Sequence, residues 1–121
     1  MKTGFVAILL FLFIASCNSV TSPCGYMGMD DVCVTVYNKS GENIKELTLT
    51  PSQTTKYVTD LADKQNTSFS FVNKGEGLYT LLVVFASGDS LKTDDNYIEG
   101  GYTVTETVYK DSIVTDNSIY K

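Results

Sequence analysis

Beyond position 32 the apolar residues fall in short runs, mostly at every second place, with turn residues between them. Val32, Val34 and Val36 alternate with Cys33, Thr35 and Tyr37, which predicts a strand with one aliphatic face. Asn38–Asn43 turns the chain, and Ile44–Thr50 is the next strand, with Leu47 and Leu49 inward. Pro51 ends it. Thr54–Val58 is a weaker strand, and Thr59–Gln65, around Leu61, fits one short helical turn. Phe69 and Phe71 alternate with serines, and Asn73-Lys74-Gly75-Glu76-Gly77 is a strong turn. Leu78–Ala86 is apolar on both faces and reads as a central strand. Leu91–Thr93 is a short strand, and Asp94-Asp95-Asn96 opens a loop. Tyr102, Val104 and Val108 face inward on the following strand, and Ile113-Val114 suits an edge strand before a polar tail. About seven short strands with turns between them predict an all-β fold: an antiparallel β-sandwich of immunoglobulin-like architecture, with a small barrel as the alternative.

The first 31 residues follow a different pattern. Met1–Gly4 carries one positive charge, and Phe5–Ile14 is an unbroken apolar run of ten. As a helix that run reaches about 15 Å, half of a ~30 Å bilayer core, so it fits an export signal rather than a permanent span. It is followed by Ile14-Ala15-Ser16-Cys17, which resembles the lipobox of bacterial lipoproteins. The resemblance implies lipid transfer to Cys17 and cleavage after Ser16. With Asn18 rather than Asp at the next position, it further implies sorting to the periplasmic face of a Gram-negative outer membrane. The expected organisation is therefore a signal peptide at 1–16, a lipidated tether at 17–31 and a β-sandwich at 32–121. The 14 residues beyond Cys17 would reach at most about 50 Å.

Lipidation of Cys17 changes the cysteine count. It leaves Cys24 and Cys33 from a total of three, and export puts them in an oxidising compartment, so they are expected to form a disulfide. The string from Val34 to Ile44 is similar to the opening of many small exported bacterial sandwiches. So are Gly75-Glu76-Gly77-Leu78-Tyr79 and Tyr97–Tyr102. That likeness implies fold and compartment, not activity.

Composition narrows the function classes. Nine basic residues stand against fourteen acidic ones, a net charge of −5, and the chain has no His and no Trp. All nine cations are lysines, and Lys2 leaves with the signal. An acidic chain without arginine is poorly suited to nucleic acid. Without histidine, Ser-His-Asp and Cys-His hydrolases and the common zinc sites are excluded, and no cofactor is expected. Asp94, Asp95 and Asn96 with Glu99 offer oxygens to calcium, but their spacing fits no EF-hand loop, and a solvated turn is the expectation. Eight tyrosines are more informative, because tyrosine serves interfaces as well as cores. Tyr97 and Tyr102 flank Glu99-Gly100-Gly101, and Tyr97, Glu99 and Tyr102 are the expected contact residues for a protein partner. The leading expectation is a non-enzymatic, membrane-anchored binding module, either an immunity or inhibitor protein or an envelope-assembly accessory. The alternatives are a structural envelope lipoprotein and, last, a carboxylate-dependent hydrolase.

Overall fold

A computed structural model describes Cys24, Gly25 and residues 28–51 and 55–119. The signal segment, the lipobox Ile14–Cys17 and Asn18 lie outside the described residues. Nine strands form two sheets: β1 (Asp31–Asn38), β2 (Ile44–Pro51), β3 (Lys56–Leu61), β4 (Asn66–Val72), β5 (Glu76–Phe85), β6 (Ser90–Lys92), β7 (Asn96–Glu99), β8 (Tyr102–Val108) and β9 (Ile113–Ile119). One sheet runs β4-β1-β8-β9. The other runs β3-β2-β5-β6, with β7 also on β5.

The core comes from the inward faces of both sheets. Val32, Val34 and Val36 meet Phe69 and Phe71 of β4 and Val104 and Val108 of β8; opposite them lie Leu47, Leu49, Leu81, Val83 and Phe85. Ile44 is buried as well, although its parity is opposite to that of Leu47 and Leu49. An irregularity between Ile44 and Glu46 shifts the register against β5, so the chain turns over once and all three side chains reach the core. β5 carries the second sheet: it pairs with β2 along one edge, and with β6 and then β7 along the other. This is the central place that its apolar run predicts.

The expected sandwich is therefore present, with three differences. Among the described residues there are nine strands rather than about seven, because the pattern shows neither β7 nor the full length of β9. Asn96–Glu99 is short and mixed, and Thr115–Ser118 is polar throughout, so neither carries a clear period-two signal. Residues 59–65 form no helical turn: β3 continues to Leu61 and a tight turn follows, with Lys64 at φ 70°. The arrangement is not wholly antiparallel either, since β8 runs parallel to β1. β7 heads toward the end of the sandwich where β1 starts. The turn at Gly100-Gly101 sends β8 back from that end into the first sheet, and therefore in β1's direction.

Cys24 and Cys33 form a disulfide with Cα atoms 5.9 Å apart. Cys33 faces away from the sandwich core yet is fully buried, so the segment before β1 is fastened over the outer side of that strand. Thr35, next on this face, is also buried and shares a hydrogen bond of 2.9 Å with Ser68.

Candidate functional site

The end of the sandwich where β1 starts carries the residues singled out by sequence. Alternation along β7 sends Ile98 into the core and leaves Tyr97 and Glu99 on the other face. Across the β5–β7 ladder Tyr97 lies opposite Leu78, and Glu99 lies opposite Glu76. Tyr97 is 43% exposed and Leu78 46% exposed, so two large side chains sit side by side at the surface. The ring of Tyr102, from the start of β8, meets Tyr97 edge to face, with centroids 6.2 Å apart and planes at 73°. That is a favoured aromatic geometry. The structure thus brings Tyr97, Glu99 and Tyr102 together and adds Leu78 and Glu76.

The electrostatics of the patch are negative. Partial loss of solvent raises the Tyr97 hydroxyl first. Its interaction with the Glu99 carboxylate and the charges of Glu76 and Glu99 add to this and push its pKa up to about 12. Tyr97 is therefore a neutral donor throughout the physiological range.

This patch sits on a braced frame. Gly101 N–H donates to the Asp31 carbonyl (2.8 Å), and Asn73 N–H donates to the Asp30 carbonyl (2.8 Å). Gly100 packs directly on this segment: a Cβ there would lie 2.7 Å from both the Met29 carbonyl oxygen and the Asp30 Cα. Gly77 leaves room for the Asn73 side chain, whose amide donates to the Gly75 carbonyl at 3.0 Å. Three segments that are distant in sequence thus hold the tyrosine loop in one position.

A second polar cluster lies inside the sandwich. Glu106, fully buried on β8, takes the inward place between Val104 and Val108. Its carboxylate accepts hydrogen bonds from the Tyr79 hydroxyl, from Asn96 Nδ2 (3.2 Å) and from the Thr115 hydroxyl (2.5 Å). These donors come from β5, β7 and β9, so the cluster spans both sheets. Burial raises the pKa of Glu106 above its ordinary 4.5, against the opposing pull of the hydrogen bonds from Thr115 and Tyr79. Burial and the Glu106 charge also raise the Tyr79 phenol far above its ordinary value.

Asn96 and Thr115 form part of the floor of an open cleft of about 370 Å³ between β6 and β9, which Lys92, Asp94 and Asp111 also line. Asp94 and Asp95 are exposed, while Asn96 points inward to Glu106, so the triplet does not converge on one point. Among the described residues no group of three His, Cys, Asp or Glu side chains is placed to hold a metal ion. The Glu106 cluster was missed by sequence reading, yet it left a signal: the inward positions of β8 run Tyr102, Val104, Glu106, Val108, and a charge in an aliphatic row requires partners.

No family model matches the chain, and no curated protein does. Among solved structures, the chain is similar to an NMR structure of a protein from Eubacterium rectale. The TM-score is 0.57 at 16% sequence identity, over 76% of this chain and 90% of that one. At that identity the likeness is one of fold, and it supports the two-sheet sandwich described above.

Proposed function

We propose that this chain is a lipid-anchored protein of the bacterial cell envelope that binds a protein partner and catalyses no reaction. The observation that carries the binding reading is the exposed Leu78–Tyr97 pair, extended by Tyr102 and fixed by the braced turn at Gly100-Gly101. Rigid, partly exposed tyrosines bring large contact area at low entropic cost, which suits them to anchor an interface. The non-enzymatic reading rests on chemistry. The chain has no histidine, Cys24 and Cys33 are joined, and the Glu106 carboxylate is already held by three donors in the interior. The anchor rests on the lipobox Ile14-Ala15-Ser16-Cys17, and the outer-membrane address on Asn18. An immunity or inhibitor protein, or an accessory subunit of an envelope assembly, are concrete forms of this role.

The test is a pull-down from envelope extract of cells fed labelled palmitate, comparing the natural chain with Cys17→Ser. The natural chain is expected to carry the label and to retain a stoichiometric partner. Cys17→Ser should lose the label. A labelled Cys17→Ser protein would refute the anchor, and recovery of the chain alone would refute the binding role.

A further inference from the structure

Glu76 and Glu99 face each other directly across the β5–β7 ladder. Like charges in such a pair are destabilising, and opposite charges are the stabilising choice. Among the described residues no lysine compensates them: neither glutamate forms an ion pair, and Lys74, two positions before Glu76, does not reach it. A local conflict of this kind, kept on an otherwise consistent sheet, is expected where function requires it. The next pair along the same face is Leu78 with Tyr97, and Tyr97 carries the Tyr102 ring edge to face at 6.2 Å. Two carboxylates thus border an exposed aromatic and aliphatic surface at one end of the β5–β7 ladder.

We propose that this notch receives an arginine side chain of the partner protein, with Glu76 and Glu99 accepting its N–H groups and Tyr97 contacting its plane; the proposal rests on the protein-binding reading above. A guanidinium matches the surface in three ways. It supplies several N–H donors in a planar fork that suits carboxylates, it stacks on aromatic faces, and its weak hydration lowers the cost of leaving water. A cation above a tyrosine ring is also attracted by the ring itself within about 6 Å of its centroid. Lysine offers charge without the plane and should bind more weakly. Two carboxylates fall well short of the six to eight oxygens that calcium takes.

The experiment titrates the purified full chain, in zwitterionic detergent with carbon-13-labelled tyrosine rings, with tetra-arginine, tetra-lysine and tetra-glutamine peptides. Tetra-arginine should give saturable shifts of the Tyr97 and Tyr102 rings, about threefold tighter than tetra-lysine, and tetra-glutamine should give none. The Glu76→Gln/Glu99→Gln double variant should weaken binding by about tenfold or more while its thermal midpoint stays level or rises, because a repulsion has been removed. Asp94→Asn/Asp95→Asn, an exposed acidic pair elsewhere, should leave binding within about twofold. Equal weakening by both variants, or shifts spread over all tyrosines, would mean diffuse attraction to an acidic chain and would overturn the notch. A partner recovered from envelope extract and still held by the Glu76/Glu99 variant would overturn the notch and leave the protein-binding role standing. An empty pull-down beside a successful titration would do the reverse.

Discussion

Glu106 shows what one residue can impose on a small sandwich. It sits in the aliphatic row of β8, and its three donors tie β5, β7 and β9 to it. Burial raises its folded-state pKa above 4.5, so the folded chain holds this proton more tightly than the unfolded chain does. Its contribution is therefore complete below the unfolded value and is lost as pH rises through the raised folded value. Urea denaturation at a series of pH values should show the natural chain losing stability from pH 4.5 upward. Glu106→Gln, which keeps the shape and an acceptor without the charge, should flatten that slope. An unchanged slope in the variant would exclude Glu106 as its source. At this scale sequence reading was uneven. Tyr97, Glu99 and Tyr102 were legible because a Gly-Gly turn between tyrosines is a local feature. Glu76 was not, because its apposition to Glu99 depends on the register of strands 23 positions apart.

At the scale of elements, period-two alternation was a sound guide wherever one face of a strand is core and the other is not. Val32–Val36, Phe69–Phe71 and Tyr102–Val108 were readable for that reason. Only the start of β9, Ile113-Val114, was legible, because the polar run Thr115–Ser118 that continues it resembles a tail. The shifted register around Lys45 was also hidden, since it is defined only against β5. The β7–β8 turn is the element on which the contact face depends, and Gly100 is its weak point. Gly100→Ala places a methyl group against backbone at 2.7 Å, where no side chain can yield. It should cost about 1–3 kcal/mol, read as a lower denaturation midpoint, with the Tyr97–Tyr102 ring contact disturbed in the tyrosine spectrum. Gly41→Ala supplies the comparison. That position has φ +89° but open space around it, so it should cost less, about 1 kcal/mol, and leave both tyrosines untouched.

For the whole molecule, the Cys24–Cys33 bond is the main covalent restraint on a chain with a modest core. Closing a loop of sequence separation 9 stabilises by roughly 2.7 kcal/mol in the chain-entropy treatment. Denaturation with and without reductant should show a loss of about that size, with the sandwich still folded in the reduced form because the sixteen-residue core cluster contains neither sulfur. The sulfur bond also governs how far the domain can range. If Cys17 carries a lipid, fastening at Cys24 cuts the maximum span between lipid and domain from fourteen residues, about 50 Å, to seven, about 25 Å. Halving the radius shrinks the accessible volume about eightfold and raises the local concentration of the tyrosine face toward anything on the same membrane by the same factor. With that anchor in place, the disulfide would act as a shortened leash that favours partners resident on the same membrane over those diffusing freely.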